Sequence, residues 1–225
     1  MVSANDWQMR AEAYAFLGNS LLAPMTQTSD VGCDPAFWEA FPDFGNAEVA
    51  RAAAELAAWA RQQAESDIAR EKLVERVSVE YTHLFVGPPS PAAPPWETMN
   101  RREGATVGFG EPTFQMRALL REAGLELSGE NRQYEDHLGI ELLYASELCR
   151  RAGEDADADD GGTDAEIDAG ADGKIDANTP SDLARFLDEH PRGWIDAFAR
   201  RVEDAAPDGY FARFVALVRA VCNLP

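Results

Sequence analysis

The residues best suited to chemistry are the three histidines, His83, His137 and His190, and the carboxylates near two of them. His137 has Asp136 beside it and Glu141 one helical turn on, and His83 follows Glu80 by three positions. If the two helices met, these side chains would form a His/carboxylate set of the kind that holds a transition metal. HExxH, which puts two imidazoles on one helical face, is absent. A metal-dependent enzyme using His83 and His137 is therefore kept only as an alternative. For His137 alone the simpler reading is a helix-start histidine hydrogen-bonded to a neighbour.

Other chemistries fare worse. There is no GxxxxGK[ST] phosphate loop. Gly104, Gly108 and Gly110 make a loose turn, but Thr113 stands where GxGxxG needs its third glycine, and no strand precedes it. Two stretches approach a calcium loop. In the first, Asp155, Asp157, Asp159 and Glu166 are correctly spaced, but Asp160 occupies the glycine position. In the second, Asp168, Asp172, Gly173 and Asp176 fit, but Gly170 and Thr179 do not. A segment so rich in aspartate gives such partial matches by chance. Cys33, Cys149 and Cys222 are scattered without CxxC, which favours reduced, buried thiols over a disulfide framework. No catalytic residue, metal or cofactor is assigned, and the expectation is a non-enzyme.

The charge narrows the partners. The chain has 225 residues, with 40 Asp plus Glu against 20 Lys plus Arg and a formal net charge of −20. Only Lys72 and Lys174 are lysines. Such a surface disfavours nucleic acid and anionic membranes and favours cationic or apolar partners. No run reaches the roughly 18 apolar residues of a membrane span. MVSANDWQMR lacks the basic and apolar regions of a secretory signal, so the expected location is the cytoplasm.

The elements that must position any site read as helices. Ser3 with Asp6 forms a capping-box start for a helix closed by Pro24, and a short helix follows at 35–41. The spacing predicts further helices over 46–64, 67–85, from Glu111-Pro112 to Gly124, and over 131–151. Three more fall at 183–189, about 191–205 and 207–222. Between them, 153–178 holds ten acids against Lys174, five glycines and no aromatic residue, and is expected to be a flexible acidic insertion. No segment alternates with period two. The expectation is one all-α domain over 1–225, a bundle of about eight to ten helices.

The most unusual stretch is Glu80–Glu97, EYTHLFVGPPSPAAPPWE, in which five prolines stiffen an apolar loop that ends on an exposed-looking Trp-Glu pair. Glu80-Tyr81, Leu84-Phe85, Gly87-Pro88 and Pro94-Pro95-Trp96-Glu97 resemble the EYxxLFxGP…PPWES signature of the TorD/DmsD/NarJ-type redox enzyme maturation chaperones. Asp136-His137-Leu138 with Glu141-Leu142 resembles the DHLxxEL segment of that family. Phe186-Leu187, His190, Trp194 and Phe198 are similar to its C-terminal helices. Thr98 and Asn100 depart from the usual Ser and Tyr after the Pro-Pro-Trp-Glu.

The resemblance, closest to the TorD/DmsD branch, implies a TorD-like, all-helical cytoplasmic chaperone. It would bind the twin-arginine leader, or the apo form, of a molybdopterin oxidoreductase catalytic subunit and hold it for cofactor insertion before export. A NarJ-like assembly chaperone of a non-exported subunit is the alternative within the family. The residues agree in kind, because a leader pairs arginines with an apolar stretch and needs carboxylates beside an apolar groove. Tyr81, Leu84 and Phe85 share one helical face that Trp96 and Pro95 can cover from the stiff loop. Glu80, Glu97 and Asp136 are candidate arginine acceptors, and His137 is a candidate to orient Asp136. Monomer and domain-swapped dimer both remain open.

Overall fold

The computed structural model describes residues 2–101, 108–127, 133–160 and 179–224, with side chains at 157–160 and 179–180 left aside. Among the described residues ten α-helices run in chain order: α1 Ala4–Leu22, α2 Pro35–Glu39, α3 Ala47–Glu65, α4 Arg70–Tyr81, α5 Glu97–Arg101, α6 Glu111–Glu122, α7 Leu138–Asp160, α8 Thr179–Glu189, α9 Ile195–Ala205 and α10 Tyr210–Cys222. The only extended pairing among the described residues is one isolated bridge between Trp96 and His137. The all-α expectation is met.

Local chemistry sets most helix ends. Ser3 Oγ accepts from Asp6 N at 3.2 Å while Asp6 Oδ2 accepts from Ser3 N at 3.2 Å, the reciprocal box read from the sequence. Asn46 Oδ1 takes the Glu48 and Val49 amides at 2.9 and 3.2 Å and so starts α3. At the end of α6, Gly124 has φ +71° and Leu125 N donates to Leu120 O at 2.8 Å, a left-handed closure suited to glycine.

Two helices differ from the periodicity. The 67–85 helix begins at Arg70, ends at Tyr81 and continues as a π turn over Thr82–Val86, closed by Gly87 N on Thr82 O at 2.8 Å. Gly87 sits at φ +91°, and a Cβ there would lie 2.7 Å from the Ser90 backbone, so only glycine lets the proline loop fold back this tightly. The 131–151 helix starts instead at Leu138, because the Leu138 and Gly139 amides are taken by Pro95 O and His137 Nδ1. It also runs on to Asp160, so the first part of the acidic stretch at 153–178 is helical. Residues 161–178, which carry most of that insertion and most of the calcium-loop positions, lie outside the described residues, as do 102–107.

Helix α10 is apolar on nearly every side, with Phe211, Phe214, Val215, Leu217, Val218 and Val221 all buried, and it forms the centre of the molecule. Around it one contiguous core contains residues from Trp7 to Leu224. Helices α1 and α7 lie in close contact at two glycines. A Cβ on Gly18 would sit 2.7 Å from Gly139 O, and one on Gly139 would sit 2.8 Å from Gly18 O. Cys33, Cys149 and Cys222 are buried free thiols, and burial pushes Cys33 up to about 11 and Cys149 up to about 12.

Candidate functional site

In the first group of expected site residues Tyr81, Leu84 and Phe85 are buried in the core and Glu80 is half-buried at its edge. The Glu80 carboxylate accepts from Tyr210 N at 3.1 Å and Phe211 N at 2.7 Å, which caps α10. Burial raises its pKa, and the two amides act against that rise. Gly209 is needed here because a Cβ would sit 2.3 Å from Glu80 Oε1. Tyr81 donates its hydroxyl to Leu21 O at 3.1 Å. Its ring meets Phe85 at 5.3 Å, and Phe85 meets Phe211 at 5.0 Å and Phe198 at 5.8 Å. Leu84 is buried with them. These four residues tie α4 to α1, α9 and α10. Tyr81, Leu84 and Phe85 thus face the core, while Glu80, half-buried, also lines the open depression that carries His83.

The second group meets across an isolated bridge. Trp96 pairs with His137: Glu97 N donates to Asp136 O and Leu138 N to Pro95 O, both at 2.9 Å. The Trp96 ring stands edge-on to His137 at 5.8 Å. The contact is a buried joint. Glu97 is fully buried, which corrects the exposed-looking Trp-Glu pair, and Trp96 is half-buried. Asp136 Oδ2 accepts from Thr98 N at 2.9 Å and Oδ1 from Thr113 Oγ1 at 2.9 Å, so one carboxylate caps α5 and ties it to α6. His137 does not orient Asp136. Its Nδ1 accepts from Gly139 N at 3.0 Å, and burial lowers its pKa to about 3, which keeps the imidazole neutral with its proton on Nε2.

A third group was not assembled by the sequence reading. His190 Nδ1 lies 2.8 Å from Glu97 Oε2, and Trp194 Nε1 donates to Glu141 Oε2 at 3.2 Å. Arg101 forms an ion pair with Glu97 Oε1 and also reaches Glu189 O. Burial and the neighbouring Glu97 carboxylate hold the Glu141 carboxyl well above the usual range. The available signal was that His190 and Trp194 stand beside Pro191 in the same resemblance as Glu97 and Glu141. Without coordinates nothing showed that the three segments converge. His83 is exposed, on an open depression with Trp59, Arg76, Asp208 and Tyr210. Among the described residues, the His/carboxylate cluster close enough to share an ion contains neither His83 nor His137.

Outside the joint lies an exposed aromatic face. Phe109, Phe114 and Tyr134 are 38%, 51% and 44% exposed. Phe109 meets Phe114 at 5.0 Å and Tyr134 at 5.5 Å, and the Arg117 guanidinium lies about 6 Å from the two phenylalanine rings. Glu135 grips Arg117 with both oxygens at 2.7 and 3.1 Å. Tyr134 O accepts from His137 N at 3.1 Å, so this face sits directly beside the Trp96–His137 joint. An all-α protein with its motif segments converging on one buried polar joint, and an aromatic face beside that joint, is the class the geometry defines.

Residues 45–200 match the model of the nitrate reductase delta subunit family, and the chain belongs to that family. It is 32% identical over 75 residues to the Tat proofreading chaperone DmsD of Salmonella typhi, a match covering 33% of this chain and 36% of that protein. With the chaperone protein TorD of Photobacterium profundum it shares 24% identity over 155 residues, 69% of this chain and 64% of the relative. A probable Tat proofreading chaperone DmsD of Haemophilus influenzae is 21% identical over 145 residues, 64% of this chain and 58% of the relative. The matches thus span between about a third and just under two thirds of these relatives. No solved structure matches the chain.

Proposed function

We propose that this protein is a cytoplasmic, single-domain chaperone that binds the twin-arginine leader of a molybdopterin oxidoreductase subunit and holds that subunit until its cofactor is in place. The observation that carries the reading is the aromatic face of Phe109, Phe114 and Tyr134 beside the half-buried Trp96. Exposed aromatic side chains held together on a rigid helical frame suit the apolar half of a leader. The arginines would meet the strongly acidic surface, including exposed Glu111 one turn before Phe114, since Glu80, Glu97 and Asp136 are engaged internally. Those three residues, with Tyr81, Leu84, Phe85, Pro95 and His137, would then act by fixing the frame behind the face.

The family match also favours a second reading, assembly of a subunit that carries no exported leader. Pull-down of a precursor subunit and of the same subunit without its leader separates the two. Retention of the precursor alone supports leader recognition, equal retention of both supports the assembly reading, and retention of neither removes both.

A further inference from the structure

We propose that Glu97, Glu141 and His190 form a binding site for one small divalent transition-metal cation of the zinc type, buried where α5, α7 and the turn before α9 meet. One ligand atom from each residue lies within 4.8 Å of the others, and all three residues are buried. Glu97 Oε2 and His190 Nδ1 are 2.8 Å apart. Two donors about 2.1 Å from a shared, tetrahedral zinc ion stand about 3.4 Å apart, so this pair would open by about half an ångström to take the ion.

The second observation is independent of the clustering. Glu141 Oε1 is buried beside the Glu97 carboxyl and receives no N–H or hydroxyl donor, although Oε2 of the same carboxyl is held by Trp194 Nε1 at 3.2 Å. An unpaired buried carboxyl oxygen is destabilising, and a cation satisfies it without further protein donors.

The surroundings fit a metal set. Trp194 fixes one oxygen of Glu141 and Arg101 fixes Oε1 of Glu97, which leaves the other oxygen of each directed to the cluster. Such outer contacts orient ligands in built sites. Two carboxylates balance a divalent charge, and the imidazole nitrogen favours zinc, iron, copper or nickel over calcium, magnesium or manganese. The ion would fasten three chain segments at one point. The inference rests on this joint alone and is independent of leader binding.

The full chain is treated with chelator and titrated with Zn2+, then separately with Co2+. The proposal expects one equivalent of Zn2+ bound, a raised unfolding temperature, and Co2+ absorption bands of a low-symmetry nitrogen/oxygen site. Glu141→Gln, of nearly the same shape, should weaken binding at least tenfold, and so should His190→Gln. His83→Ala, which changes an exposed histidine elsewhere, should leave binding unchanged. Less than about a tenth of an equivalent bound by the wild-type protein overturns the site and leaves a proton shared by the two carboxyls as the content of the joint. Binding that Glu141→Gln and His190→Gln leave intact, or that His83→Ala abolishes, overturns it as well. If neither joint variant folds, the wild-type Co2+ spectrum decides: bands without nitrogen ligation contradict the proposal.

Discussion

Asp136 holds two helices with one side chain. Its oxygens take Thr98 N and Thr113 Oγ1, and its backbone carbonyl takes Glu97 N. Asp136→Ala keeps the backbone carbonyl but leaves Thr98 N and Thr113 Oγ1 without their carboxylate acceptor, and is expected to lower stability by about 2–6 kcal/mol in chemical unfolding, twice the cost of one such group. A selective loss of partner affinity with an unchanged unfolding midpoint would show instead that Asp136 is a contact residue. Glu147 provides a pH-dependent contribution. Its carboxylate accepts from Arg150 at 2.7 Å and Arg151 at 2.8 Å, mainly the former holding its pKa below the ordinary value. A depressed carboxylate stabilises the fold above its unfolded value near 4.5, and that share is lost as pH falls through the lower folded value. Glu147→Gln should therefore cost about 0.5 kcal/mol at pH 7, screened by its partial exposure, and the gap to wild type should close in acid. Thermal unfolding of both proteins across pH reads the difference.

At the level of elements, the α1–α7 contact depends on two glycines. Alanine is the better helix former by roughly 1 kcal/mol, yet Gly18→Ala should destabilise the protein because its Cβ would press on Gly139 O at 2.7 Å. A thermal midpoint at or above that of wild type would contradict the close approach. The helices were largely legible in the sequence because caps and periodicity are local: Ser3, Asn46 and Gly124 each end or begin a helix as read. The start of α7 was not, since Leu138 N is claimed by Pro95 O, a partner 43 positions away by residue number. The Trp96–His137 bridge, between segments far apart in sequence, did not follow from local patterning. The burial of Tyr81, Leu84, Phe85 and Glu97 did not either, because an apolar face looks the same in sequence whether it meets solvent or α10. The Glu97–Glu141–His190 cluster was invisible for a related reason, as its members come from three separate segments.

For the whole molecule, the family match, the acidic charge and the aromatic face point the same way. Tyr81, Leu84, Phe85, Glu97, Asp136 and His137 are buried, and Phe109, Phe114 and Tyr134 are exposed together beside them. On the proposed reading, the net charge of −20 would make capture of a basic leader dependent on ionic strength, while the aromatic contribution would not be screened. The most direct test is titration of a synthetic twin-arginine leader into wild-type protein and into Phe114→Ser, with the unfolding midpoint of each recorded. Saturable binding that weakens with salt, falls about tenfold in Phe114→Ser and leaves the midpoint within about 0.5 kcal/mol of wild type is the predicted result. No binding to the wild type at low salt, or equal affinity in the two proteins, would contradict it.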